Sequence, residues 1–239
     1  LAALGRGVGE YDRDAWNAIN PGQNPFTAHE FLHALEQSGS VGEGTGWTPA
    51  PIVIRDEDGA LAGALPAYVK GHSQGEYIFD HHWADAYERA GGRYYPKLQI
   101  ASPFSPVPGP RILTDNLTVA HQLLAAAQAV VDRNGLSSAH ATFVEEGQLD
   151  LFRDAGWLIR TGSQFHWQNK DYGSFDDFLE LLSSRKRKAI RKERAAARSA
   201  VDIIHLTGPE ISAEHWDAFW TFYQDTGARK WGRPYLTRE

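Results

Sequence analysis

The densest run of chemistry-bearing side chains is Phe79-Asp80-His81-His82-Trp83-Ala84-Asp85-Ala86-Tyr87. Histidine is the side chain nearest neutral pKa, and an adjacent carboxylate can orient its ring and stabilise the imidazolium. Asp80, His81, His82 and Asp85 therefore form the candidate acid–base group, with Tyr87 beside them as a substrate contact. The plain alternative is that Asp80 or His81 caps a helix. A metal held by His81, His82 and Asp85 is disfavoured, because adjacent histidines rarely point at one ion.

His29-Glu30-Phe31-Leu32-His33 fits the H-E-x-x-H pattern, which on a helix would bring two zinc ligands and a general base to one face. Thr27 and Glu30 also have the spacing of a capping box, and no third ligand is evident downstream. The cap reading is preferred, and no metal is expected. No G-x-S-x-G elbow is present, and Ser73 and Ser102 carry no motif. The loop Gly42-Glu-Gly-Thr-Gly46 lacks the Lys-Ser/Thr of a phosphate loop and reads as a connector.

Two further constellations favour anions. Residues 185–198 read RKRKAIRKERAAAR, eight cations and one Glu in a chain of net charge −6. Outside that window 16 basic residues face 29 acidic ones, a balance of −13. A solvated helix face is the bland reading, and a phosphate, cofactor or RNA site is the functional one. Near the end, residues 225–235 gather Arg229, Lys230 and Trp231 in a loop suited to holding an anion and stacking on a planar group. Phe165 and Trp167 share one face of an alternating segment, which makes Trp167 a further substrate-contact candidate.

The elements that must position these groups follow from spacing. The chain has 239 residues, 42% hydrophobic, 23% charged and 12% aromatic, with eight Trp. This is globular composition in one large or two small domains, and it excludes disorder, collagen and coiled coil. Cys is absent, which excludes disulfides, thiolate metal sites and cysteine nucleophiles. No apolar run approaches the ~18 residues of a transmembrane helix, and no signal peptide follows Leu1, so a cytoplasmic protein is expected. Met is absent too, so further residues are expected before Leu1 and after Glu239.

Helices are predicted over 12–20, 27–39, 82–90, 117–132, 148–154, 175–182, the basic segment, and from Ser212 to Gly227. In the last of these, Trp216, Phe219, Trp220 and Tyr223 form one apolar face that reads as core. A hairpin is predicted from 51–55 and 61–69 about the turn at 56–59. Further strands are expected over 76–80, 97–101, 139–144, 157–167 and 201–206. Four prolines in 103–110 oppose regular pairing. The order implies an α/β or α+β mixed sheet with an antiparallel start.

Four stretches together carry a resemblance: SGSVGEGTGWTP, then DEDGALAGALPAYVKGHSQGEYIFDHHWADAYERAGGRYYPKLQIASPFSPVPGPR, then GSQFHWQNKDYGSFDDFLELLSSRKRKAIRKER, and DTGARKWGRPYLTRE. From about residue 24 to 239 the chain resembles the FemAB-like predicted N-acyltransferases of bacteria, relatives of the GNAT acetyltransferases and the peptidoglycan Fem aminoacyltransferases. The resemblance implies two tandem GNAT-like domains, 1–168 and an incomplete second one at 169–239. It implies that Arg185, Lys186, Arg187 and Arg191 lie in the domain that handles the donor, either acyl-CoA or aminoacyl-tRNA. The R/Q-x-x-G-x-G/A loop that holds the pyrophosphate of acyl-CoA in GNAT enzymes is missing, since Arg160-Thr-Gly162 is too short.

The activity implied is transfer of an acyl or aminoacyl group to an amine of a peptidoglycan precursor. The resident cofactor is expected to be none, tRNA is a candidate partner, and DNA is not. The alternative is a non-catalytic module of the same fold that recognises a peptidoglycan precursor or RNA.

Overall fold

Asp56 opens the first turn of the fold: its carboxylate accepts from the backbone of Asp58 and Ala60, and Gly59 supplies a left-handed φ of 84°. The flanking apolar runs close on this turn as an antiparallel pair. In the computed structural model, which describes every residue except Phe79, Trp231 and Arg233, the elements run as follows. They are β1 (Ala2–Leu4), α1 (Arg13–Ala18), α2 (His29–Gln37), β2 (Trp47–Pro49), β3 (Ile52–Arg55), β4 (Leu61–Leu65), β5 (Ala67–Lys70), α3 (His81–Arg89), β6 (Lys97–Ile100), α4 (Leu117–Asn134), β7 (Ala139–Ala141), α5 (Leu149–Asp154), α6 (Phe175–Glu180), α7 (Ser184–Ser199) and α8 (Ala213–Arg229). The architecture is mixed α/β with two sheets, and the chain divides into two compact units. The first comprises Leu1–Arg160 with Gly227–Glu239, the second Thr161–Thr226.

In the first unit, one sheet has the order β1-β3-β4 and is antiparallel throughout. The expected second arm of the hairpin, 61–69, is cut at Pro66, which has no N–H to give a ladder. Beyond it the chain enters the other sheet as β5, between β2 and β6 in the order β2-β5-β6-β7. The β6–β7 pair is parallel and the others are antiparallel.

Helix α4 joins the two sheets. Asn116 caps its start by accepting from Thr118 and Val119, and Gly135 ends it in the left-handed region. Its buried residues Ala120, Leu123, Leu124, Ala127 and Val131 recur at helical spacing and pack on Ile52, Ile54, Leu65, Ala67, Leu98 and Ile100. Strand alternation sends Val53 and Ala64 to the opposite face, where they meet Val8, Trp16 and Leu32. The same alternation turns Tyr68, Lys70, Lys97 and Gln99 away from α4, onto the far face of the second sheet.

Four local expectations change. The described residues of 76–80 form no strand: Tyr77 has a φ of 54°, incompatible with an extended ladder. The Thr27–Glu30 capping box is not made: buried Thr27 donates to Asn20 Oδ1 at 2.8 Å, and Glu30 accepts from Asn17 at 2.9 Å. Residues 157–167 and 201–206, expected as strands, pair with no strand among the described residues, and Leu158 and Phe165 lie in solvent. Helix α8 runs two residues past Gly227, and within it Trp216 and Phe219 are more than half exposed rather than core.

In the second unit, Ser174 caps α6 through the Asp177 amide. Arg191 pairs with Asp176 at 2.7 Å, Arg194 sits 4.2 Å over the Phe175 ring, and Arg187 reaches the Glu180 carbonyl.

Candidate functional site

Antiparallel register places Lys70 of β5 directly opposite Lys97 of β6. Both side chains stand on the same face, and both are fully buried. Like charges opposite each other in a sheet are destabilising, so two buried ammonium groups require anions. The loop between β5 and α3 supplies them. Lys97 Nζ donates to Glu76 Oε2, Asp80 Oδ2 and Ser73 Oγ, each at 2.9 Å. Lys70 Nζ lies 4.0 Å from Glu76 Oε1, donates to the Gln74 carbonyl at 3.2 Å, and sits 3.5 Å from the centre of the Trp47 ring. The Tyr94 hydroxyl donates to Asp80 Oδ2 at 2.9 Å, and Ser73 Oγ and Tyr95 OH are 2.8 Å apart. Trp47 in turn holds the loop by donating from Nε1 to the Gln74 carbonyl at 3.0 Å.

The proton affinities follow from burial and neighbours. Burial, reinforced by the Lys97 charge and opposed by Glu76 and Asp80, pushes the Lys70 ammonium down to about 7. Burial raises Glu76 despite its two lysines. Burial would raise Asp80 too, but the hydrogen bond from Lys97 and its charge hold that carboxyl below its ordinary value. Burial, with Lys97 next in effect, takes His140 down to about 4, so its ring is neutral at pH 7. A lysine with a near-neutral pKa can carry a free lone pair, and therefore accept a proton or act as a nucleophile. Four buried polar atoms on or over this face have no hydrogen-bond partner among the described residues: Tyr68 OH, Glu76 Oε1, Asp80 Oδ1 and Gln99 Oε1.

Of the expected acid–base group, Asp80 lies inside this cluster. Its carboxylate serves Lys97 and Tyr94 rather than capping α3, while its carbonyl accepts the first α3 amides, those of Trp83 and Ala84. His81 and His82 form the first turn of α3 and are exposed. Asp85 and Tyr87 are exposed on the same helix, with the Tyr87 ring 6.3 Å from that of Tyr94. The other candidates stand elsewhere. Arg185 and Lys186 are exposed on α7, while Arg187 and Arg191 turn toward α6. Trp167, two-thirds exposed, packs near Tyr172 and Phe178 in the second unit. Arg229 ends α8, Lys230 follows with its amide on the Gly227 carbonyl, and Trp231 lies outside the described residues.

His29 and His33 do share a helix face, with rings 5.3 Å apart. However, His29 is buried with Nε2 3.0 Å from the Tyr11 carbonyl, and His33 lies beside Glu36 at 3.6 Å.

Sequence reasoning missed Lys70, Lys97, Glu76, Tyr94, Tyr95 and His140. The available signal was the alternation Lys97-Leu98-Gln99-Ile100. It reads as a strand, and nothing local says that its polar side is covered.

Among known proteins, the FemAB-like family, described as peptidoglycan biosynthesis/recognition, matches residues 7–239. No curated protein matches the chain. A solved structure, a point mutant of TTHA1254 from Thermus thermophilus, is similar over 72% of this chain and 98% of its own. Its identity is 10% and its TM-score 0.38, too low to carry an argument. With all but its first six residues matched, this chain belongs to the FemAB-like family of peptidoglycan biosynthesis and recognition.

Proposed function

We propose that this protein is an N-acyltransferase that moves an acyl or aminoacyl group onto a primary amine of a peptidoglycan precursor. In this reading 1–168 is a first GNAT-like domain and 169–239 opens a second. The observation that supports it most is the charge-balanced Lys70–Glu76–Lys97–Asp80 cluster. It fixes the loop before α3, and so the turn on which His81 and His82 meet solvent.

His81 or His82 takes a proton from the acceptor ammonium. The amine nitrogen then attacks the donor carbonyl, a C–N bond forms, and the donor's C–O or C–S bond breaks. The leaving group departs with that proton, returned by the imidazolium, and the second proton of the attacking nitrogen passes to water as the amide forms. Asp85 stands on the same helix to orient the base, and Tyr87 contacts the acceptor. Arg185 and Lys186, with Arg187 and Arg191, bind donor phosphates of acyl-CoA or aminoacyl-tRNA. Trp167, Arg229, Lys230 and Trp231 are the remaining substrate contacts.

The test is direct: incubate the protein with a muropeptide precursor and either acetyl-CoA or aminoacyl-tRNA, and look for a new amide by mass spectrometry. His81→Ala combined with His82→Ala should lower turnover by about 10²–10⁴-fold, the range of general base catalysis. Unchanged turnover would remove the histidines from the mechanism. A second reading, recognition of the precursor without transfer, is favoured by the missing pyrophosphate loop. Precursor-dependent thermal stabilisation with no amide formed would select it.

A further inference from the structure

The hydrogen bonding of the buried cluster is lopsided. Lys97 spends all three of its protons, on Ser73, Glu76 and Asp80. Each carboxylate spends one oxygen on Lys97, and among the described residues Glu76 Oε1 and Asp80 Oδ1 accept no hydrogen bond. Gln99 Oε1 and Tyr68 OH, a register pair on the same sheet face, are also without one. Three of these four atoms can only accept. A buried acceptor left bare costs about 1–3 kcal/mol, and more when charged. Lys70, with one hydrogen bond made, has two N–H donors to set against Glu76 Oε1 at 4.0 Å; Asp80 Oδ1 and Gln99 Oε1 remain as surplus acceptors, and a group that matches them is an ammonium with three N–H donors.

The cover over this face is of an unusual kind. The described residues of the loop from Gly71 to Asp80 form no strand or helix. Tyr77 in it and Phe104 beside it both have left-handed backbones, at φ 54° and 57°. A bulky side chain there is an outlier, and such strain gathers at ligand clamps and switch regions. Tyr235 stacks on Phe104 with centroids 5.1 Å apart and planes at 10°, and meets Tyr77 edge-on at 6.2 Å. Thr237 fastens the segment: its amide donates to Ser40 Oγ at 3.2 Å and its hydroxyl to the Ser38 carbonyl at 2.9 Å.

We propose that the face under this loop is an ammonium-binding site, with Glu76 and Asp80 as its anionic ligands and Tyr77 and Tyr235 as its lid. The inference rests on the acyl-transfer reading for its purpose, since the ammonium would be that of the acceptor. Asp80 immediately precedes His81, so the proposed site is next along the chain to the turn that carries the proposed base. Charge balance also allows it. Lys70, 4.0 Å from Glu76 and with its affinity for a proton already lowered, can lose its proton as the incoming cation takes its place.

The test is hydrogen exchange of the amides of residues 72–80 in the full chain, with Nα-acetyl-L-lysine methylamide as the probe. Nα-acetyl-L-norleucine methylamide, which lacks the amine, is the control. The lysine probe should slow exchange at least tenfold at saturation, and the norleucine compound should not. Glu76→Gln should weaken the protection at least tenfold, with Asp80→Asn as a second variant should the first fold poorly. Tyr235→Ala should speed exchange of the same amides without probe. Equal exchange with and without the lysine probe would assign the bare acceptors to buried water and overturn the proposal, as would equal protection in both carboxamide variants. Protection without amide formation would sink the transferase reading and leave the site standing. Transfer by Glu76→Gln with an unchanged KM for the acceptor would sink the site and leave the transferase.

Discussion

Lys97→Met removes the ammonium on which the whole cluster converges and keeps the length of the side chain. Three hydrogen bonds of 2.9 Å disappear, two of them to carboxylates. Asp80 retains the Tyr94 hydroxyl, and Glu76 retains Lys70 at 4.0 Å. Breaking a buried ion pair by removing one partner costs about 3–5 kcal/mol, chiefly because the remaining charge stays buried. That is a large share of the roughly 5–15 kcal/mol that holds a domain together.

Urea titration is the assay. Near-ultraviolet circular dichroism is a suitable probe, since Trp16 and Trp47 are both fully enclosed in the first unit. With a slope of about 2 kcal/mol per molar, the midpoint should fall by roughly 2 M. The companion variant combines Lys97→Met with Asp80→Asn, leaving the buried Lys70 and Glu76 charges to balance each other, and it should recover more than half of the loss. A loss under about 1 kcal/mol, or a double variant no better than the single one, would refute the reasoning that buried carboxylates make Lys97 indispensable.

Three other predictions follow from single features. The unfolded chain protonates His140 before the folded one does, so stability should fall as pH drops from 6.5 through about 4. The full contribution is on the order of 3 kcal/mol, and His140→Asn should flatten that part of the pH profile. Lys70 acts in the same direction in a higher pH window. Its folded proton affinity is depressed to about 7, so between pH 7 and 10 the unfolded chain holds the extra proton and stability should rise with pH. That rise should be absent in Lys70→Met, and its persistence would show that Lys70 is not the group responsible. Gly75→Ala should destabilise the first unit by roughly 2–3 kcal/mol in thermal unfolding. The new Cβ would lie 2.8 Å from the Phe104 ring and 3.2 Å from Trp47 Nε1, at a φ of 78°.

Much of the framework is local and was legible. Asp12, Asn116 and Ser174 cap their helices as side chains whose oxygens reach an amide two or three residues on. Gly135 ends α4 because it enters the left-handed region freely, and the 56–59 turn closes the hairpin through the Asp56 carboxylate. The long motifs that resemble FemAB-like proteins are likewise properties of the string of residues, and the family match bears that reading out.

The candidate site was legible only at Asp80, and the reason is dimensional. Alternation tells which residues of β5 and β6 share a face, but not whether that face meets water. The answer depends on where the loop from Gly71 to Asp80 settles and on Tyr235 and Thr237, which touch Phe104 and Ser40 from far along the chain. The same limit explains 157–167 and 201–206. Period-two alternation is a property of sequence, whereas a strand exists only when another strand completes its ladder. Sequence therefore determined the helices, the hairpin and the family. Tertiary structure alone decided that two lysines would be buried face to face, because the cost of burying a charge is set by the groups folded around it.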